Sequence, residues 1–265
     1  MKALQRMSSS AIGSLAKLSQ KKYRREAGAY LVEGPHLVGE AIAAGAGVET
    51  ILVTEESSAK PEIAGLIRKA GSTRIPVYLL SAREMERLSD AVTSQGILGV
   101  VALQEASIED FWGSRSAEAI VIALEHVADP GNVGAILRTS DWFGAAGVLL
   151  SHGCVELHNP KVIRATMGAL FRLPAFEELD LASSLRAAKN NGYSVVVTSL
   201  EGGKPFDRRK IPARSVIVLG SEADGVTKGV LALADMVVTI PRFGHGESLN
   251  VAATCAAVLG SLRLP

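Results

Sequence analysis

Apolar residues in this chain gather into short continuous runs, separated by stretches in which they recur every three or four positions. In the first half, Ile51–Thr54, Val77–Leu80 and Ile97–Leu103 have the β-branched density of strands, while Pro35–Ala44, Pro61–Ala70 and Ala82–Leu88 have helical spacing. This predicts a small α/β sandwich over residues 1–104. From Gln104 to Glu118 the pattern lapses into polar residues with Gly113 and three serines, the mark of a linker, taken as 105–118. It restarts at residue 119. Ala119–Leu124, Gly147–Leu150, Ser194–Ser199, Ser215–Gly220 and Met236–Ile240 read as strands; Val133–Phe143, Lys161–Met167, Leu181–Asn191 and Val251–Leu262 read as helices. Nearly continuous apolar strands alternating with helices predict an α/β domain over 119–265, with a parallel sheet covered on both faces. Such sheets bind ligands at the carboxyl ends of their strands.

Composition adds three constraints. Hydrophobic residues at 48% and charged residues at 21% suffice for packed cores and exclude a disordered chain. The net charge of +1 conceals a basic leader: residues 1–25 hold Lys2, Arg6, Lys17, Lys21, Lys22, Arg24 and Arg25 and no Asp or Glu. Such a leader suits a phosphate backbone, or is a solvated helix face. Cys154 and Cys255 stand far apart without ligand spacing, and the histidines form no ligand pattern, so neither a disulfide framework nor a metal site is expected. No apolar stretch is long enough for a membrane span and the first ten residues lack a signal-peptide core, so a cytoplasmic protein is expected.

Three strand-end loops carry the candidate chemistry. In the first, Asp129-Pro130-Gly131-Asn132 turns the chain into a helix that also holds Arg138, whose fork of donors suits a phosphate. The second is Val216–Val226, a buried strand ending in Gly220, Glu222 and Gly225. The third, Val238–Thr254, is a glycine-rich loop leading to Ser248 and Asn250. Nucleotide signatures fail here: Val226 stands where a Walker A loop needs lysine, and Leu249 where a dinucleotide fingerprint needs its third glycine. No HExxH, CxxC or GxSxG occurs.

The strings DPGNVGAILRTSDWFGA, VLGSEADGV and IPRFGHGESLNVAAT, in this order, resemble the three signature motifs of the SpoU/TrmH family of SPOUT RNA ribose methyltransferases, and Lys17–Gly34 resembles the start of the family's L30e-like substrate-binding domain. The resemblance spans nearly the whole chain. It implies a trefoil-knotted SPOUT catalytic domain, which general rules of chain connectivity would not suggest, and a homodimer with each site completed near the partner subunit. It also implies S-adenosylmethionine as cofactor, with Asn132, Arg138, Glu222, Ser248 and Asn250 as catalytic residues. Thr198, Ser199, Leu200, Gly220, Ile240 and Leu249 become cofactor contacts. The expected reaction is methyl transfer to a ribose 2′-hydroxyl of RNA, ribosomal in preference to transfer RNA. Alternatives are base methylation and a non-catalytic RNA-binding or ribosome-assembly protein. Expected RNA contacts are Lys21, Lys22, Arg24 and Arg25 with Arg138, the last reaching back from the start of its helix over the mouth of the site.

Overall fold

The computed structural model describes residues 4–104, 106–113, 118–200, 202–221 and 223–264. The chain forms two compact units, Met1–Glu105 with His158–Phe171, and Ala106–Leu157 with Arg172–Pro265. Among the described residues no helix is long and apolar enough to cross a membrane.

The first unit contains β1 (Gln5–Arg6), α1 (Ser9–Ala16), α2 (Lys21–Ala27), β2 (Ala29–Glu33), α3 (Pro35–Ala44), β3 (Val48–Thr54), α4 (Glu55–Ser58), α5 (Pro61–Ser72), β4 (Val77–Leu80), α6 (Ala82–Leu88) and β5 (Ile97–Ala102). Its sheet runs β1-β4-β3-β5-β2, with β3 parallel to β4 and antiparallel to β5. One core packs α3 and α5 against it through Val38, Ala41, Ile63 and Ile67; the other packs Ile12 of α1 and Met85 of α6 against Leu52 and Leu98. The segment His158–Phe171 groups with this unit, with Ile163 buried in the first of these cores. Gly168 has φ +92, and a Cβ there would meet Glu40 at 2.9 Å.

The second unit holds α7 (Ile108–Trp112), β6 (Ala119–Glu125), α8 (Pro130–Trp142), β7 (Gly147–Ser151), β8 (Ala175–Leu179), α10 (Leu181–Asn190), β9 (Ser194–Thr198), β10 (Lys204–Pro205), β11 (Arg214–Gly220), α11 (Lys228–Leu231), β12 (Met236–Thr239) and α12 (Val251–Arg263); α9 (Pro160–Thr166) falls in the grouped segment above. Its seven strands run β10-β12-β9-β11-β6-β7-β8, and every pairing is parallel. All seven residues of β6 are buried, the environment its continuous apolar run anticipates.

The interval read as a linker contains α7, capped by the Ser107 side chain accepting from Asp110 N. Trp112 is buried in the second unit's core beside Tyr193, their ring centroids 5.2 Å apart. The serines and polar flanks hid this anchor. The strands β2 and β8 also escaped prediction from the pattern: both lie at sheet edges, and β8 carries Glu177 and Glu178 in a five-residue run.

Candidate active site

Asp-Pro-Gly after β6 starts α8 by simple chemistry. Asp129 is the N-cap, its Oδ1 accepting from Asn132 N at 2.8 Å, and Pro130 occupies the first turn, where a missing N–H costs nothing. Asn250 does the same for α12, its Oδ1 accepting from Ala252 N at 2.9 Å and Ala253 N at 3.2 Å. Its amide remains available, and Nδ2 donates to Asn132 Oδ1 at 2.9 Å. Asn250 is thus both a helix cap and the strap that ties the third motif to the first, and the two helix starts meet near the carboxyl end of β6.

Arg138 lies elsewhere. It sits in the third turn of α8 and not at its start, about 9 Å along the axis and about 240° around it from Asn132. The residue is exposed, and among the described residues no hydrogen bond joins it to Asn132, Ser248 or Asn250. The expectation that it reaches back over its own helix start is therefore corrected: helical geometry carries it away. It shares the solvent face of α8 with Trp142, which is 84% exposed. Ser248 is exposed in a loop, 241–250, that is exposed throughout and carries Phe243 at 98% exposure. Glu222 lies outside the described residues.

The expected cofactor contacts converge at one edge. Thr198 ends β9 beside Val238 of β12, and β9 adjoins β11, so Thr198–Leu200, Gly220 and Ile240 all leave the carboxyl edge of neighbouring parallel strands. Thr198 Oγ1 donates to Val218 O at 3.1 Å, and Ser199 N donates to Val238 O at 2.9 Å. Leu200 and Leu249 leave apolar side chains exposed, and Thr239 Oγ1 is buried there without a partner among the described residues. Exposed aliphatic carbons, strand-end backbone and a spare hydroxyl form a donor set that fits a nucleoside-bearing cofactor. Gly220 is also required by the fold itself. A Cβ there would stand 2.2 Å from Gly225 C and 2.6 Å from Val226 N, so a side chain collides first with the chain's own loop.

That loop is held by a residue absent from the three motifs. Glu125, buried at the end of β6, accepts from Thr227 N at 2.8 Å and Thr227 Oγ1 at 2.7 Å. Its register partner on β11 is Gly220. The carboxylate links the strand before the first motif to the loop of the second. An acidic residue closing a wholly apolar strand was the available signal, since a buried charge requires partners.

In the basic leader, Lys22 and Arg25 of α2 are exposed and Lys21 is half-buried. Lys17 and Lys22 approach the Tyr23 ring at 5.4 and 5.8 Å from its centroid. Arg24 is corrected: it is 3% exposed and its guanidinium donates to Leu18 O at 2.7 Å, so it builds the domain and does not face a ligand.

Comparison with known proteins agrees over the whole length. Residues 10–99 match the MRM3-like substrate binding domain, and residues 119–260 match the SpoU rRNA Methylase family. The chain is 29% identical over 263 residues to the Bacillus subtilis 23S rRNA (guanosine(2553)-2′-O)-methyltransferase RlmP, covering 99% of this chain and 100% of that protein. Among solved structures it resembles a TrmH-family protein of Porphyromonas gingivalis, with a TM-score of 0.81, 32% identity and coverage of 97% and 98% of the two chains. It also resembles an AdoMet-bound rRNA methyltransferase of Sinorhizobium meliloti, with a TM-score of 0.84, 25% identity and coverage of 98% and 96%. With the three motifs in order, an all-parallel sheet and a family match spanning more than half its length, this chain belongs to the SpoU rRNA methylase family.

Proposed function

We propose that this protein transfers a methyl group from S-adenosylmethionine to a ribose 2′-hydroxyl of ribosomal RNA, acting as a cytoplasmic homodimer with a trefoil-knotted catalytic domain. The observation that carries the reading is the Asn250–Asn132 hydrogen bond, which fastens the third motif to the first beside the strand ends of the expected cofactor site. A protein kept for RNA binding alone has no need of that strap. The guanosine of 23S rRNA named for the Bacillus relative makes 23S rRNA the first substrate to test.

S-adenosylmethionine supplies an electrophilic methyl group carried on a sulfonium. The protein's work is mostly alignment, since fixing two reactants in line removes much of the barrier. Thr198, Ser199, Leu200, Gly220, Ile240 and Leu249 would hold the cofactor against the strand ends. Asn132 and Asn250, immobilised by each other and by their caps, set the edge against which the nucleotide lies, with Ser248 as a further polar contact; Glu222 is the remaining catalytic residue that the family resemblance implies. A guanidinium is a poor base near neutrality, so proton abstraction is not the role that Arg138 fills. Its guanidinium binds the phosphate next to the target ribose and stabilises charge on the 2′-oxygen as the hydroxyl proton passes to water.

Arg138 stands two turns on from the start of α8, on a different face from Asn132, so the partner subunit's copy completes each site. The exposed Trp142, Phe243 and Leu264 support this reading, being large apolar groups whose burial a second copy would favour. RNA recognition falls to residues 1–104, with Lys21, Lys22 and Arg25 on phosphates, and catalysis to 119–265, the interval 105–118 joining them.

The test is to incubate unmodified 23S rRNA transcript with the protein and labelled S-adenosylmethionine, then hydrolyse with alkali. A labelled, alkali-resistant dinucleotide is expected, because methylation removes the 2′-oxygen as nucleophile. Label confined to alkali-sensitive mononucleotides would mean base methylation and overturn the reading.

A further inference from the structure

The first unit contains a cavity of about 370 Å³ that the catalytic reading does not use. Thr54, Ser57, Met85 and Gly96 line it, and Met85, Ser57 and Gly96 are buried. Its shape is fixed by tight local bonding. Ser57 Oγ donates to Gly96 O at 2.6 Å, and Ser57 N donates to Thr54 Oγ1 at 3.1 Å. Gly96 has φ +78, and a Cβ there would lie 2.6 Å from Ser57 Cβ, so only glycine lets the 89–96 loop approach α4 so closely. The loop's other end is pinned by Glu33, whose carboxylate accepts from Ser89 Oγ at 2.5 Å, Asp90 N at 3.1 Å and Ala91 N at 3.2 Å.

The mouth differs from this satisfied interior. Glu56, Lys60, Glu86, Thr93 and Gln95 line it with exposed side chains that have no hydrogen-bonding or ionic partner among the described residues. Val92, also lining it, is 106% exposed, an aliphatic side chain held fully in water on a loop anchored at both ends. We infer that this cavity receives one unpaired nucleobase of the RNA substrate, a base bearing an exocyclic amino group.

The volume is at the small end for ligand pockets and suits a single base better than a folded segment. Two carboxylates at the rim repel a phosphate, which removes a free anion or a backbone phosphate as the deep group. Carboxylates accept hydrogen bonds from amino groups of bases, and Thr93 and Gln95 add a hydroxyl and an amide for the remaining edge. Val92 lies against the flat face, and Lys60 meets the phosphate left outside. Single-stranded RNA is commonly read by splaying bases into such protein surfaces.

The inference rests on the RNA methyltransferase reading, and the test separates the two. Full-length protein is irradiated with unmodified 23S rRNA transcript and the cross-linked peptides are identified. In parallel, Ala82→Trp, which fills the mouth from an exposed position, and Val92→Asp are measured for affinity toward that transcript and toward S-adenosylmethionine. A nucleotide cross-linked within residues 82–96 is expected, with RNA affinity lowered about tenfold in either variant and cofactor affinity unchanged. If wild type neither binds nor methylates the transcript, the functional reading fails and the inference with it. If wild type methylates normally while both folded variants match its RNA affinity and no cross-link falls in 82–96, only the base pocket is overturned. Tight binding of free guanosine monophosphate with unchanged RNA affinity in the variants would also overturn it.

Discussion

Arginine positions separate by what surrounds each guanidinium. Arg138 is exposed, free to act where charge would appear on the ribose oxygen. Arg138→Ala is expected to lower single-turnover methylation about a hundredfold with cofactor affinity little changed. Arg138→Lys should restore only part, because a point charge on a flexible stem lacks the planar fork. Near-normal rates for the alanine variant at saturating RNA would remove Arg138 from the mechanism. In the leader, replacing Lys21, Lys22 and Arg25 together by Ala should flatten the salt dependence of RNA binding, by up to about 0.9 in log–log slope for each phosphate no longer neutralised. Arg24→Ala should behave differently, lowering the melting temperature and leaving the slope alone, since it bonds Leu18 O from a buried position. Sequence could not tell Arg24 from its neighbours. All lie in one basic run, and only the packing of α2 shows which face is inward.

At the level of elements, the second motif is a strand end closed by its own loop. Gly220→Ala is expected to lower both thermal stability and S-adenosylmethionine affinity, because its methyl group collides with the Gly225–Val226 backbone before it meets any ligand. Glu125→Ala, on the strand beside Gly220, should produce the same pair of losses by leaving the Thr227 N–H and hydroxyl without their acceptor. Calorimetry with each variant checks this: unchanged cofactor affinity in both would detach the 221–227 loop from the cofactor site. The pairing of α8 with α12 offers a second reporter. Cys255 is buried in α12, and burial pushes its thiol up to about 12. Very little thiolate therefore exists at pH 8, and alkylation should be slow in the native protein and rapid once denaturant opens the helix pair. Rapid native labelling would show that α12 is not closed against the core.

For the whole molecule, the decisive expectation is complementation. If each site combines Asn132 and Asn250 of one chain with Arg138 of its partner, Arg138→Ala and Asn250→Ala homodimers are both impaired. Mixing them with subunit exchange should recover about a quarter of wild-type activity, since half the dimers are then mixed and one of their two sites is intact. No recovery, with exchange verified by mass, would mean that each chain builds its site alone. Much of the architecture was legible in the order of residues. Continuous apolar runs such as Ala119–Glu125 can be satisfied only between two covering layers, and Asp-Pro-Gly-Asn starts a helix by local bonding alone. The three motifs were likewise readable because their chemistry is carried by residue type and spacing. What tertiary structure decided were relations between residues far apart in sequence: the Asn250–Asn132 strap, the Glu125 clamp on Thr227, and the burial of Arg24 and Trp112. Local propensity acts over a few residues, whereas these depend on which elements the closed fold brings side by side.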